Sequence, residues 1–399
     1  MISSNSRLLI KASVPVLREH GLTIAHCFYR NMFATHPELR NLFNMGNQAR
    51  GAQQASLAAA VFAYAANIDN PTALNPVLER IAHKHAAVGI KPAHYPIVGR
   101  YLLGAIREVL GKAATPELLT AWDEAFWLLA GELIAAEARL YSHTGHTAGD
   151  LMPLQVSRVI RESDEALSFL LQTANGQSPG KFQPGQYVSV AVTVDQAGQH
   201  LRQLRQYSLC GTPTANSWRI CVKRLSGGGT GPAGCVSTFL HTRVNEGDTL
   251  WISAPYGNFT PPTDRKRALA LLSAGVGVTP MAAVLSALPT DGVQPVLFAH
   301  AARSTRDRVL VDEISKAQQR LRGLTSLLFL ERPAPHEEGL PGRMTLPEKA
   351  LSAFRDADFY MCGPLPFMQA QWQQLSEWGI PPERLHREVF GPEALEHLR

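Results

Sequence analysis

The spacing of apolar positions changes twice along the chain. Over residues 1–141 they recur three and four apart, as in Leu8, Ala12 and Val16 or Leu57, Val61 and Tyr64. That period predicts helix almost throughout, with six or seven helices. Pro37, Pro71, Pro76, Pro92, Pro96 and Pro116 fall at helix starts or between helices. Residues 142–151, beginning SHTGHTAGD, are small and polar and read as a linker. From 152 the period drops toward two. QYVSVAVTV (186–194), WRICVKR (218–224) and TLWISAP (249–255) read as strands, separated by NGQSPG, GTPTANS, GGGTGPAG and NEGD. Such strands suit a small antiparallel β-barrel over 152–261.

From about 262 to 399, strands and helices alternate. RALALLS (267–273), PVLFAH (295–300), LTSLLFL (324–330), DADFYMC (356–362) and RLHREVF (384–390) read as strands. TPMAAVLSAL (279–288), residues 307–321 and PFMQAQWQQLSEW (366–378) read as helices. This is the α/β pattern of a doubly wound parallel sheet. The expected architecture is therefore multi-domain: all-α, then an antiparallel β-barrel, then α/β.

Composition narrows the class of protein. At 399 residues the chain exceeds one compact core. With 45% hydrophobic and 18% charged residues it is globular rather than disordered. The net charge of +5 is spread evenly, so neither nucleic acid nor a membrane surface is implied. Cys27, Cys210, Cys221, Cys235 and Cys362 are odd in number and widely spaced, without a C-x-x-C. They suit a reducing compartment and neither a disulfide framework nor a zinc site. With no signal peptide and no apolar run long enough to span a membrane, a cytoplasmic location is expected.

The C-terminal part carries nucleotide chemistry. In SAGVGVTP (273–280), Gly275 and Gly277 let backbone approach a phosphate, Thr279 suits a helix cap and Pro280 a first turn. Free N–H groups at such a helix start attract a pyrophosphate. In RQYSL (205–209), Arg205 can grip a phosphate, Tyr207 offers an aromatic face and Ser208 a hydroxyl for a ring nitrogen. PGQY (184–187), MCGP (361–364) and EVFGP (388–392) are unremarkable alone. Together, in this order, the motifs resemble ferredoxin-reductase-like flavoproteins over residues 152–399. The resemblance implies FAD in the barrel, contacted by Tyr187, Arg205, Gln206, Tyr207 and Ser208, with Ser237 of GCVSTFL near the flavin phosphates. It places NADH or NADPH along Gly275, Val276, Gly277, Val278, Thr279 and Pro280, and along Cys362, Gly363 and Pro364. Val389, Phe390, Gly391 and Pro392 then lie near the flavin ring. The loop before Ser237 is longer than in many relatives. Arg303, Ser304 and Arg306 follow the second α/β strand, as partners of a 2′-phosphate or as a solvated loop.

In the N-terminal part, a haem iron needs one axial imidazole on a helix facing an apolar slot. His85 follows Val77, Leu78, Ile81 and Ala82 at helical spacing, and His83 lies on another face. A histidine so placed is more often structural. Three features favour His85: Phe43 in LFNM at a helix junction, Gln53 at the start of a long helix, and Tyr29 beside Phe28 and Phe33. A Tyr hydroxyl in an apolar pocket needs a partner.

The order Tyr29, Phe43, Gln53, His85 is the globin order and resembles bacterial flavohaemoglobin. The closest stretches are HPELRNLFNMGNQ (36–48), AHKHAAVGIKPAHYPIVG (82–99) and AAEARLY (135–141). With the reductase appended, nearly the whole chain is covered. The resemblance implies haem b with iron held by His85, supported by Tyr95 and Glu137, and Lys84 and Phe390 near the haem–flavin gap. It also implies NAD(P)H- and O₂-dependent oxidation of NO to nitrate, with Tyr29 and Gln53 facing the gas. The domains then run 1–141 (globin), 152–261 (FAD) and 262–399 (NAD(P)H). The expected partners are NO and O₂, with lipid in a distal pocket lined by Leu57, Ala60 and Val61 as a further candidate, and the expected state is a monomer. Two positions depart from the family: no Trp follows the globin, and Phe126 stands where relatives carry Tyr. Three other readings stay open on the residues alone. These are a reductase whose helical domain docks a partner, an oxygen or redox sensor, and a reductase of peroxides, lipid peroxides included.

Overall fold

The computed structural model describes residues 2–196, 199–213, 216–227, 233–262, 267–292 and 294–392. The chain separates into two compact units, Met1–Leu151 with Ala191–Arg205 and Gly391–Arg399, and Met152–Val190 with Gln206–Phe390. The helical part of the first unit holds α1 (Ser4–Thr35), α2 (Met45–Ala49), α3 (Ala52–Ala66), α4 (Asn75–Val88), α5 (Tyr95–Leu110) and α6 (Pro116–Thr144). Pro37, Pro71 and Pro92 open 3₁₀ turns, and Pro76, Pro96 and Pro116 sit in the first turns of α4, α5 and α6. A proline there forfeits no hydrogen bond, because the first N–H groups of a helix have no partner.

The buried seam of α1 differs from the expected stripe. It runs through Ser6, Ile10, Ser13, Leu17, Gly21 and Ile24. Leu8 lies outside it, 68% exposed. Small residues let the helices approach: a Cβ added to Gly21 would sit 3.6 Å from the Ala58 Cβ of α3. At the other end, α6 continues through Thr144, three residues into the segment read as linker.

The chain then forms β1 (Met152–Ser163), β2 (Ala166–Gln172), β3 (Tyr187–Gln196), β4 (Gln199–Ser208), β5 (Trp218–Lys223), α7 (Cys235–Arg243) and β6 (Thr249–Ile252). The sheet order is β4-β3-β6-β1-β2-β5. An antiparallel bridge between Leu209 and Ile220 joins its two end strands, closing the expected barrel. Sequence periodicity missed β1, β2, β4 and α7. Register shifts at Val156/Arg158 and Arg161/Ser163 break the alternation of β1.

The last segment forms β7 (Leu269–Ala274), α8 (Val278–Ala287), β8 (Val296–Ala302), α9 (Val311–Arg320), β9 (Leu324–Leu330), β10 (Leu340–Pro341), α10 (Glu348–Ala353), β11 (Asp358–Cys362), α11 (Leu365–Glu377) and β12 (Leu385–Glu388). Its parallel sheet runs β10-β9-β8-β7-β11-β12. One face packs Leu271 and Phe298 against Met281 and Ile314, and the other packs Leu272 and Phe359 against Met368 and Leu375. Helices thus cover both faces, as near-continuous apolar strands require. The order reverses between β7 and β11, where open α/β sheets bind ligands beyond the strand ends. Within the second unit, Arg219 of β5 is held between the carboxylates of Glu162 and Glu313, and the Leu310 N–H donates to Glu162 Oε2 at 2.9 Å. All five cysteines are free thiols. Among the described residues, no helix is long and apolar enough to cross a membrane.

Candidate haem, flavin and dinucleotide sites

His85 lies in the last turn of α4. Its Nδ1 is 2.8 Å from Glu137 Oε1 of α6 and 3.3 Å from the Tyr95 hydroxyl of α5. Tyr95 donates to the same Oε1 at 2.5 Å. A carboxylate buried to 2% exposure needs such donors. Burial, and then the bond to Glu137, push the Tyr95 phenol well above its ordinary pKa, so it stays a donor. A carboxylate at Nδ1 holds the proton there and leaves the Nε2 lone pair as the ligand. His83 is buried on another side of α4, where it lines a cleft with Leu133 and Leu140 of α6.

Tyr29 is on α1, its ring packed against Phe28, Phe33 and Phe43 at centroid distances of 4.7, 5.7 and 5.6 Å. Phe43 occupies the bend between the Pro37 turn and α2, the junction expected for it. Leu57 and Val61 of α3 are half-buried beside the same cluster. Burial pushes the Tyr29 phenol up strongly, and the approaching side chains of Gln53 and Gln48 offset only part of this. The hydroxyl is therefore a neutral donor. Gln48 was missed in the sequence, because nothing in its own five-residue helix marks it.

These residues fit a haem. Among the described residues, no group of three or more His, Cys, Asp or Glu can hold a bare metal ion. An imidazole presented singly suits a metal that brings its other ligands, and the aromatic and aliphatic lining suits a flat apolar ring. Lys84 Nζ donates to the Gly391 carbonyl at 3.0 Å.

The residues expected for FAD lie mainly on β4. Ser208 is 4% exposed and its Oγ has no hydrogen-bond partner. A buried unpartnered hydroxyl calls for an acceptor or donor from a ligand, which fits a flavin ring nitrogen. Gln206 and Tyr207 precede it, and Arg205 Nη1 donates to the Leu204 carbonyl at 2.7 Å. Tyr187 is paired through its backbone to Tyr256, and its ring leaves no room for a Cβ on Gly257, which would lie 2.9 Å away. The Ser237 hydroxyl donates to Gly234 O and accepts from Leu225 N–H, both at 3.1 Å. It ties Leu225 to the start of α7.

The dinucleotide loop departs in two details from expectation. Gly277 is needed for packing: its Cβ would fall 2.2 Å from the Cys362 carbonyl oxygen. The loop of Gly275 (φ +54°), Val276 and Gly277 is thereby pressed against Cys362 and Gly363 at the strand ends. Thr279 is not the cap. It lies within α8, behind Val278, and its hydroxyl donates to Val276 O at 2.9 Å. Pro280 is in the first turn as expected, and Pro364 precedes α11. Val389, Phe390, Gly391 and Pro392 follow β12, with Phe390 48% exposed. Arg303 is already engaged, donating to Glu165 Oε2 at 2.9 Å and Asp307 Oδ1 at 3.0 Å.

Fold and sites together define a globin joined to a flavin- and nicotinamide-type oxidoreductase. The Globin family matches residues 26–133, and the Oxidoreductase NAD-binding domain family residues 271–373. The flavohemoprotein of Rhizobium meliloti is 42% identical over 404 residues, spanning 98% of this chain and 99% of its own. That of Bordetella parapertussis is 43% identical over 404 residues, with the same coverage. The crystal structure of flavohemoglobin from Malassezia yamatoensis, with bound FAD and heme, is 29% identical with a TM-score of 0.80, covering 98% of this chain and all of that one. The flavohem-like FAD/NAD-binding domain of nitric oxide dioxygenase from Vibrio cholerae is 36% identical with a TM-score of 0.55, covering 61% of this chain and 100% of that one. The chain belongs to the flavohemoprotein family.

Proposed function

We propose that this flavohemoprotein is a nitric oxide dioxygenase that uses NAD(P)H, FAD and haem b to turn NO and O₂ into nitrate. The observation that carries this reading is the His85–Glu137–Tyr95 set, with Nδ1 tied to a buried carboxylate and Nε2 left as a ligand. We assign residues 1–141 to haem, 152–261 to FAD and 262–399 to the nicotinamide coenzyme. When bound, the cofactors supply a gas-binding iron and a conversion of hydride into single electrons.

The chain's residues do the rest. Glu137 holds the proton on His85 Nδ1, which strengthens Nε2 as a donor to the metal. Tyr95 fixes the carboxylate. Tyr29 keeps its proton and donates it toward the gas, beside Gln53. Phe43, Leu57 and Val61 exclude water. Ser208 offers its unpartnered Oγ to the flavin, and Arg205 offers a guanidinium to its phosphates. The amide groups opening α8 meet the coenzyme pyrophosphate.

NO consumption in aerobic buffer with NADH and fully loaded protein tests the proposal. Rapid loss with about one nitrate per NO supports it. Slow loss despite fast haem reduction moves the reading to sensing or peroxide chemistry. Tyr29→Phe should speed O₂ release by roughly tenfold or more, from loss of one charge-stabilised hydrogen bond. An unchanged off-rate would make Tyr29 a packing residue.

We infer the coenzyme preference from Arg303. Its guanidinium is held by Glu165 and Asp307 just beyond β8, so it is engaged rather than free for a 2′-phosphate. Carboxylates suit a ribose hydroxyl and repel a phosphate. We expect kcat/KM for NADH to exceed that for NADPH by about tenfold or more. Steady-state rates with both coenzymes check this, and equal values would place the 2′-position elsewhere.

A further inference from the structure

The proposed chemistry assigns no role to Gln48, yet hydrogen bonds hold its amide in one orientation. It projects from α2 and is 9% exposed. Its Oε1 accepts a hydrogen bond from Gln54 Nε2 of α3 at 2.8 Å. The same Nε2 donates to the Gln48 main-chain carbonyl at 3.2 Å. A carbonyl only accepts, so this second bond fixes which end of the Gln54 amide is nitrogen. That in turn fixes Gln48: its oxygen faces Gln54 and its nitrogen faces away. The Gln48 Nε2 is buried and has no hydrogen-bond partner, while its side chain approaches the Tyr29 hydroxyl. A buried N–H without an acceptor is costly, and the phenolic oxygen has lone pairs to receive it.

We propose that Gln48 is a positioning residue for Tyr29, its Nε2–H turned to the phenolic oxygen and its orientation set by Gln54. A phenol has one proton. With its oxygen already accepting from Gln48, that proton is directed away from the amide, toward the gas ligand and Gln53. Gln48 therefore acts through Tyr29, and Gln54 acts through Gln48. The inference rests on the haem reading above and assigns a device within it.

The test uses the full-length, haem- and FAD-loaded protein in its ferrous carbonmonoxy form. The infrared C–O band reports the field next to the gas, and O₂ release is timed in parallel. Gln48→Met should raise the C–O frequency and speed O₂ release roughly threefold to tenfold. Gln54→Met should split the band, because the Gln48 amide can then turn over. In the Tyr29→Phe background, Gln48→Met should change neither quantity, since the residue acted upon is gone. If Gln48→Met impairs folding, Gln48→Glu keeps the shape and draws the phenolic proton to the new carboxylate, which raises O₂ release further. A band unmoved by either substitution overturns the proposal. So does an equal shift with and without the Tyr29 hydroxyl. Absence of any carbonyl band from the unsubstituted protein would overturn the haem reading itself.

Discussion

Replacing His85 with alanine should remove haem from the protein and with it NO consumption. In the proposed ligation the imidazole would hold the iron through Nε2, since Glu137 and Tyr95 converge on its Nδ1. Losing an outer partner of a metal ligand costs about 10–100-fold in metal affinity or activity, so losing the ligand sets that range as a floor. The variant should show no haem absorbance band after purification. NADH oxidation with ferricyanide should persist, because the proposed FAD and coenzyme residues lie on or beside β3, β4, α7, α8, β11 and β12, none of which contains His85. Glu137→Gln should fall between: the imidazole remains, but a neutral amide replaces the charge that strengthens it. The expected order of haem retention is unsubstituted protein, Glu137→Gln, His85→Ala. Full haem retention by His85→Ala would sink the proposed ligation.

Much of this arrangement was legible in the sequence where local and global signals agreed. The α/β strands lie close to the predicted runs because both faces of a parallel sheet are covered, which makes them continuously apolar. The prolines marked helix starts because their chemistry is local. His85 was separable from His83 because two residues on a helix turn a side chain to another face. The misreadings have equally physical causes. The seam of α1 is built from Ser6, Ser13 and Gly21 as well as Ile10 and Leu17, so following large apolar residues selected Leu8 on the exposed face. Thr279 looked like a cap, but Gly277 must pass the Cys362 carbonyl, and the helix starts one residue before Thr279. Arg303 stayed open between a phosphate partner and a solvated loop, because its contact with Glu165 spans 138 residues of sequence. Gln48 was invisible for the same reason: its neighbours Tyr29 and Gln54 come from two other helices. Long-range polar partnerships have no periodicity.

Acid should destabilise the α/β fold through His300 in β8. Its imidazole is 4% exposed, bonded through Nδ1 to Ser273 Oγ at 2.9 Å, and its Nε2 has no partner. Burial, reinforced by the nearby Arg308 charge, pushes its pKa down to about 3 from 6.5, against a smaller opposing effect of Ser273. The folded chain therefore holds this histidine neutral, while the unfolded chain protonates it below pH 6.5. Above that pH the group costs nothing. As pH falls, the unfolded state gains about 1.4 kcal/mol per unit, until protonation of the folded form ends the trend near pH 3. The full effect is about 5 kcal/mol, a large share of a domain's stability. Hydrogen-exchange protection of the β7 and β8 amides should drop between pH 7 and 4.5, after correction for intrinsic exchange, by about 3 kcal/mol more than in His300→Gln. The substituted chain starts less stable at neutral pH because Ser273 loses its partner, yet its acid slope should be shallower. Parallel pH profiles for the two proteins would mean that His300 protonates in the folded state, and that water reaches it beside Ser273, its paired residue on β7.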